Sequence, residues 1–151
     1  MCFVELATPL YEDAAEPYNT LVRAFSSFGE VNFDELRPLV SYLQRMSLPE
    51  GHVLWRQGDA SDGLYIIETG VLRASYQFNS HAPSVEESMV PGTLAGELSA
   101  LSGLPRNATV IVERPAVVWK LSIENLRKLE TEEPALSKMF LQLVLKGEFR
   151  L

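Results

Sequence analysis

Residues 91–110, PGTLAGELSALSGLPRNATV, carry the strongest signal for the fold of this chain. Gly96 allows the backbone to approach another group closely, because glycine has no Cβ atom. Residues 97–101 are long enough for one or two helical turns, which Gly103 ends. The N–H groups at the start of such a helix have no partner within it, so they suit an anion. The stretch therefore predicts a short helix beside an anion-binding site.

Two ionisable side chains belong to this stretch, Glu97 and, nine residues later, Arg106. Arg106 offers a planar fork of N–H donors that matches two oxygens of a phosphate. A carboxylate at Glu97 makes no favourable contact with a phosphate alone, because both groups are anionic. It accepts a hydrogen bond from a hydroxyl such as a ribose 2′-OH. The two residues together predict a ligand that presents a phosphate and a sugar hydroxyl close together.

The region around this stretch, about residues 50–121, consists of short apolar runs separated by turn residues. Residues 71–78 place apolar side chains at every second position, which is the period of a half-buried strand. The other apolar runs occupy residues 53–55, 64–67, 85–90, 109–112 and 117–121. Trp55 and Trp119 lie on such runs, and we expect both in the core. Many short strands with Gly-rich turns favour a sandwich, a barrel or a roll.

Two helical patterns precede the predicted strands. Residues 17–28 and 33–45 place apolar side chains at helical spacing. Asn32 is a suitable N-cap for the second helix, and Pro38 predicts a kink or a broken first turn within it. Residues 1–16 are acidic and irregular, so we expect a flexible lead-in before the folded part of the chain.

Two more helical patterns follow the strands. Ser122 is a suitable N-cap for the first of them. Apolar residues within 136–144 recur at the i, i+3, i+4 spacing of an amphipathic helix, which we expect Gly147 to end. The C-terminal helices therefore occupy about residues 122–147, and residues 17–151 form one domain.

Composition limits the classes of partner. The net charge is −7 and the pI is about 4.9, and such an acidic chain repels a phosphate backbone, so we expect no nucleic-acid partner. The single cysteine, Cys2, cannot form an internal disulfide, which fits a reducing compartment. No apolar run approaches the roughly 18 residues that cross a bilayer. We expect a cytoplasmic chain without direct membrane insertion.

The chain lacks the residue patterns of common catalytic sites. His52 and His81 are too isolated for metal binding or acid–base chemistry. Ser99 and Ser102 have no candidate base that would activate a nucleophile. We therefore expect no enzyme, and a cupin-like metalloenzyme on a similar roll lacks its ligands. About 30 residues follow Ser122, so we expect no helix-turn-helix after it and no transcription factor.

Residues 91–110 resemble the phosphate-binding cassette of the cyclic-nucleotide-binding family, in which Gly-Glu-Leu-Ala precedes Pro-Arg-Ala/Thr-Ala-Thr. Residues 58–70, a glycine turn into a four-residue apolar strand, resemble another stretch of that family. The resemblance covers roughly residues 33–146. It implies a mainly β fold with flanking helices, a jelly-roll-like double-stranded β-helix or β-roll. A short cassette helix, N-terminal helices and two C-terminal helices complete this fold.

The resemblance also implies roles for individual residues. Glu97 accepts a hydrogen bond from the ribose 2′-OH, and Arg106 clamps the cyclic phosphate of cAMP or cGMP. The full candidate set is Gly96, Glu97, Leu98, Ser99, Arg106, Asn107 and Ala108. No cofactor is required besides such a ligand. Asn107 departs from the family, which usually has Ala, Ser or Thr after the arginine.

Residues 87–101 and 117–122 resemble more closely the cytosolic C-terminal domain of fungal sulfate permease (SulP) transporters. This resemblance implies a non-enzymatic regulatory or sensor domain at the cytosolic face of a membrane. Its partners are the other domains of a sulfate or anion transporter. The alternative is a degenerate cassette that binds no nucleotide and serves as a structural or protein-interaction module, with Glu97 and Arg106 paired to each other.

Overall fold

The computed structural model describes residues 33–148, which form one antiparallel sheet with helices before and after it. The strands are β1 (Gln44–Leu48), β2 (Val53–Trp55), β3 (Gly63–Tyr76), β4 (Val85–Met89), β5 (Leu94–Ala95) and β6 (Thr109–Ser122). Their order is β1-β6-β3-β4, with β2 paired to β6 and β5 paired to β3. The prediction of a mainly β fold with flanking helices is confirmed.

Four α-helices accompany the sheet within residues 33–148. They are α1 (Phe33–Leu36), α2 (Glu97–Ser102), α3 (Ile123–Glu132) and α4 (Pro134–Glu148). The Ser122 hydroxyl accepts a hydrogen bond from the Asn125 N–H at 3.1 Å, so the predicted N-cap is confirmed. None of the helices in this part of the chain is long and apolar enough to cross a membrane. The predicted lead-in 1–16 and the predicted helix 17–28 lie outside the described residues.

The predicted helix 33–45 is correct at its start and wrong at its end. After α1 the backbone tightens into a 3-10 helix over Arg37–Tyr42, with Pro38 in its first turn. Proline has no N–H to donate within the helix, and this favours the predicted break there. Leu43 is extended, with φ −103° and ψ 149°, so β1 begins at Gln44 and the strands start before residue 50.

Two strands, β3 and β6, are longer than the sequence pattern predicts. The predicted runs 64–67 and 71–78 belong to the single strand β3, and the runs 109–112 and 117–121 belong to β6. Between them the register of the β3–β6 ladder shifts near Glu68 and Gly70, which bends the strands without ending them. At the other end of the chain, Gly147 does not end the last helix, because α4 continues to Glu148.

Buried apolar side chains form two clusters on opposite faces of the long strands. Successive strand residues point to opposite faces, so neighbouring Val118 and Trp119 belong to different clusters. Trp119 packs with Phe140 and other helix residues, and this cluster attaches the helices to the sheet. Val118 packs with Trp55 inside the roll. Both tryptophans are buried, as their strand positions predict.

A buried ion pair joins β1, β3 and β6. The Nη2 atom of Arg45 lies 2.5 Å from Oε2 of Glu68, and both side chains are almost completely buried. The Trp119 indole N–H donates to Oε1 of Glu68 at 2.8 Å, and Arg45 Nε donates to the same oxygen at 3.0 Å. Glu68 lies where the β3–β6 register shifts, so the irregularity directs a carboxylate toward these donors.

Candidate functional site

A cavity of about 360 Å³ opens between α2 and the strands β3, β4 and β6. Every residue of the candidate set predicted from sequence lines it, namely Gly96, Glu97, Leu98, Ser99, Arg106, Asn107 and Ala108. The structure therefore brings together two parts of the chain, the start of α2 and the segment that leads into β6. Leu98 and Asn107 are exposed, whereas Ser99 and Ala108 are buried.

Gly96 has the geometry that the sequence predicts for it. It is the N-cap of α2 in a left-handed conformation, with φ +78°. A Cβ atom built there would overlap with Nη1 of Arg106 and lie 2.9 Å from Cη2 of Trp55. Glycine is therefore required for both reasons, the positive φ and the close approach of Arg106. The predicted helix that follows is confirmed, and Gly103 is its C-cap.

Arg106 is almost completely buried, with 2% of its surface exposed. Its Nη1 donates to the Gly96 carbonyl at 3.0 Å and to Ser99 Oγ at 2.9 Å. Its Nη2 donates to Asp62 Oδ1 at 2.8 Å and to the Gly63 carbonyl at 2.7 Å. The buried Nε has no hydrogen-bond partner among the residues that the structure describes.

Arg106 pairs with Asp62, a residue outside the candidate set predicted from sequence. The carboxylate that reaches the guanidinium comes from 44 residues earlier in the chain, and the alternative pairing of Arg106 with Glu97 stays a prediction. Asp62 lies in the polar segment just before β3. The neighbouring sequence does not indicate which of Asp59 and Asp62 pairs with Arg106. Only the pairing of Gly63 with Ser122 shows which end of the sheet Asp62 occupies.

Asp62 is shared between two cations. Its Oδ2 accepts hydrogen bonds from Lys120 Nζ at 2.9 Å and from the Tyr65 hydroxyl at 3.1 Å. Burial raises the pKa of Asp62, but the hydrogen bond and charge of Lys120 and the hydrogen bonds from Arg106 and Tyr65 outweigh burial and lower the pKa below its usual value. Burial and the nearby carboxylate raise the pKa of Tyr65. One carboxylate thus faces two cations, which leaves the group with a net positive charge.

Trp55 has a second contact besides its place in the core. The guanidinium carbon of Arg106 lies 3.7 Å from the centroid of the Trp55 ring, within the range of a cation–π interaction. Tyr65 packs on Trp55 with ring centroids 5.4 Å apart. The strand pattern predicts that Trp55 is buried, but it does not predict that an arginine stacks on the Trp55 ring.

The β4 side of the cavity carries a second carboxylate. Glu87 pairs with Ala74 across the β3–β4 ladder, and both residues line the cavity. The Tyr76 hydroxyl, also in the lining, donates to Oε2 of Glu87 at 3.3 Å. Within residues 33–148, no three His, Cys, Asp or Glu side chains are grouped as metal ligands. The cavity therefore combines one arginine with two carboxylates, Glu87 and Glu97.

Comparison with known proteins gives one consistent family. Residues 45–132, more than half of the chain, match the sequence model of the cyclic nucleotide-binding domain. The chain is 31% identical over 119 residues to a cAMP-dependent protein kinase regulatory subunit of Yarrowia lipolytica, covering 77% of this chain and 30% of that protein. It is 33% identical over 84 residues to acetyltransferase Pat of Mycolicibacterium smegmatis, covering 56% and 25%. The chain thus spans less than a third of both relatives.

The fold also matches a solved structure. A crystal structure of a cyclic nucleotide-binding domain from Methylobacillus flagellatus superposes with a TM-score of 0.77 at 24% identity. The match covers 91% of this chain and 85% of that one. It confirms the predicted β-roll with its flanking helices.

Proposed function

The chain belongs to the cyclic nucleotide-binding domain family, and from this premise we propose that its cavity binds cAMP or cGMP. In this proposal the domain is a regulatory module and not an enzyme. The cyclic phosphate lies beside Arg106, and the ribose lies beside α2. No cofactor is needed.

One observation carries the proposal. Arg106 lines the cavity, and its Nε atom is a buried donor with no acceptor among the described residues. Leaving such a donor unpaired costs about 1–3 kcal/mol, which a phosphate oxygen in the cavity offsets. The group of Arg106, Lys120 and Asp62 also has a net positive charge that attracts an anion, because two cations share the single carboxylate of Asp62. An anion is therefore the ligand that this wall of the cavity favours.

The start of α2 supports the placement of phosphate and ribose. Gly96 offers no side chain to cap the helix, so the cap position leaves room for a ligand beside the first turn. Glu97 lies in that turn, is half-buried and lines the cavity, which supports its role as acceptor for the ribose 2′-OH. Asn107 is exposed at the same cavity, where its amide donates a hydrogen bond to the phosphate.

A backbone contact supports a route from the ligand to the C-terminal helices. The carbonyl of Asp62 accepts a hydrogen bond from the N–H of Ile123, the first residue of α3, at 3.2 Å. The carboxylate of the same residue binds Arg106. A ligand that changes the partners of Arg106 therefore acts on the residue that contacts the start of α3. In this proposal, ligand binding regulates by shifting the population of positions that the C-terminal helices occupy.

The second candidate function is a structural or interaction module with an inactive cassette. One observation favours it: both terminal nitrogens of Arg106 already donate to groups of the protein, namely Asp62, Gly63, Gly96 and Ser99. The fork predicted to clamp two phosphate oxygens is thus engaged before a ligand arrives. Nucleotide binding must then use Nε or replace some of these internal bonds.

Thermal unfolding separates the two candidates. A ligand that binds only the folded state raises its stability by RT ln(1 + [L]/Kd), about 2.7 kcal/mol at a hundredfold excess over Kd. We expect millimolar cAMP or cGMP to raise Tm, and 5′-AMP, which lacks the cyclic phosphate, to raise it less. An unchanged Tm with both cyclic nucleotides supports the inactive cassette.

The transporter context is a separate proposal, based on the resemblance of residues 87–101 and 117–122 to sulfate permease domains. The two curated relatives named above are a kinase regulatory subunit and an acetyltransferase, so they do not bear on it. Cell fractionation with an antibody against this domain tests the proposal. A transporter-sized protein in membranes supports it, and a protein found solely in the cytosolic fraction contradicts it.

A further inference from the structure

Trp55 contacts both parts of the chain that form the proposed phosphate site. It is buried, with 7% of its surface exposed, and it lines the cavity. The guanidinium carbon of Arg106 lies 3.7 Å from the centroid of its ring. Its Cη2 atom lies 2.9 Å from the position that a Cβ atom on Gly96, the N-cap of α2, would take. One indole therefore packs against the arginine and against the start of the helix.

This stack restrains Arg106 in a direction that its hydrogen bonds leave free. The terminal nitrogens donate to four groups of the protein, in Gly96, Ser99, Asp62 and Gly63. The N–H groups of a guanidinium lie in its plane, so these bonds hold the edges of the group. The indole covers a face and limits the tilt of the plane. Edge bonds and face contact together fix the direction of Nε–H, the donor that we propose binds a phosphate oxygen.

A second aromatic residue holds the indole in place. The ring of Tyr65 packs on Trp55 with centroids 5.4 Å apart. The Tyr65 hydroxyl donates to Oδ2 of Asp62 at 3.1 Å, and Oδ1 of Asp62 accepts from Arg106 at 2.8 Å. The four residues form a closed ring of contacts, so the position of the indole and the position of the guanidinium depend on each other.

The turn that follows β2 fixes the backbone of Arg106. The Gly58 N–H donates to the Arg106 carbonyl at 2.8 Å, and the Arg106 N–H donates to the Asp59 carbonyl at 2.8 Å. Trp55 is the last residue of β2, just before this turn. One short segment of the chain therefore holds both the backbone and the side chain of Arg106.

We infer that Trp55 is a positioning residue for phosphate binding and acts through Arg106. This inference rests on the proposed binding of a cyclic nucleotide in the cavity. The ring attracts the cation on its face, and among aromatic side chains this attraction is strongest for tryptophan. Because the guanidinium is already ordered, binding does not have to order it, and such preorganisation raises affinity. The ring also keeps water from one face of the cation, which strengthens its attraction to an anion.

Calorimetric titration of the full chain with cAMP and cGMP tests the inference in two variants. Trp55→Leu keeps an apolar side chain but removes the ring, and we expect about tenfold weaker binding of the nucleotide that the wild type binds more tightly. Trp55→Phe keeps an aromatic face with a weaker attraction for cations, so we expect a loss of only about threefold. Thermal unfolding confirms that each variant is folded.

Trp119 provides a matched control, because Trp119→Phe is the same change in the other buried cluster. Trp119 is absent from the cavity lining, and its indole N–H donates to Glu68. Trp119→Phe therefore lowers stability as well, but we expect it to keep the wild-type affinity within about twofold, since the phosphate contacts are unchanged.

The fluorescence of Trp55 gives a signature that a purely structural role does not produce. The chain has two tryptophans, so Trp55 is the only one in Trp119→Phe. A phosphate that pairs with Arg106 reduces the positive field on the indole face, because opposite charges cancel at close range. We expect the emission of Trp119→Phe to change on titration and to saturate with the calorimetric Kd. An unchanged emission in a protein that binds nucleotide overturns the inference.

The outcomes separate this inference from the proposed function. If the wild type binds and both Trp55 variants keep its affinity, positioning by Trp55 is wrong and the nucleotide site stands. If Trp119→Phe weakens binding as much as Trp55→Phe, binding responds to core packing in general, and the inference is again overturned. If Trp55→Leu does not fold, Trp55→Phe and the emission decide. If the wild type binds neither nucleotide, the proposed function is wrong and the inference falls with it.

Discussion

The guanidinium of Arg106 stacks on the ring of Trp55, with 3.7 Å between the guanidinium carbon and the ring centroid. Gly96 closes the other side of this contact, because a Cβ atom there would overlap with Nη1 of Arg106 and approach Trp55. The three residues come from β2, the N-cap of α2 and the segment that precedes β6. Their interlocking fixes the arginine at the cavity wall before any ligand binds.

Gly96→Ala is expected to destabilise the chain more than Gly103→Ala. Both glycines have nearly the same φ, +78° and +77°, so both substitutions cost about 1–2 kcal/mol for the left-handed conformation. Only at Gly96 does the added Cβ meet Arg106, whereas nothing lies within 4 Å at Gly103. We expect about 1–3 kcal/mol of additional loss from overpacking at Gly96. Urea unfolding measures both, and equal losses contradict the described packing.

Acidification is expected to weaken the Asp62 contacts. Because the folded-state pKa of Asp62 is lowered, its contribution to stability is complete above the unfolded pKa, about 4, and is lost as the pH falls through the folded value. The stability of the wild type should therefore fall toward that of Asp62→Asn on going from pH 6 toward pH 2. Parallel urea unfolding of both proteins measures this difference. A gap between them that is independent of pH would contradict the shared ion pair.

Loss of Glu68 is expected to cost far more than loss of Glu113. Glu68→Ala leaves the buried Arg45 without its carboxylate, and breaking such a pair costs about 3–5 kcal/mol. The Arg73–Glu113 pair joins β3 and β6 at a position that is about one third exposed, so Glu113→Ala costs about 0–1 kcal/mol. Free energies of unfolding from urea titration compare the two variants. Similar values would show that the Arg45–Glu68 pair is not desolvated as described.

The local parts of the fold follow from the sequence because short-range chemistry determines them. The hydroxyl at Ser122 caps α3, and Gly103 ends α2, as their positions predict. The region of residues 85–90 is a strand as predicted, although it ends at Met89. Each of these features depends on residues within a few positions of one another.

The errors arise where long-range contacts override local signals. Gly70 indicates the end of a strand, but its positive φ is accommodated inside β3, where a Cβ atom would overlap with Pro115 on the paired strand. Asp62 became the partner of Arg106 only through the pairing of β3 with β6, which no local pattern encodes. The candidate residues next to each other in sequence were therefore predictable, and their distant partner was not.

Isothermal titration of the wild-type chain and of Arg106→Lys with cAMP and cGMP measures whether the cavity binds a cyclic nucleotide through Arg106. Lysine keeps the positive charge but has no Nε–H and no planar fork. The substitution therefore removes the donor that we propose binds a phosphate oxygen. We predict measurable binding of at least one cyclic nucleotide by the wild type and about tenfold or greater weakening in Arg106→Lys, with both proteins folded by circular dichroism. No heat of binding at millimolar nucleotide would contradict a cyclic-nucleotide site in the cavity, and equal affinity in the two proteins would contradict the role of Arg106.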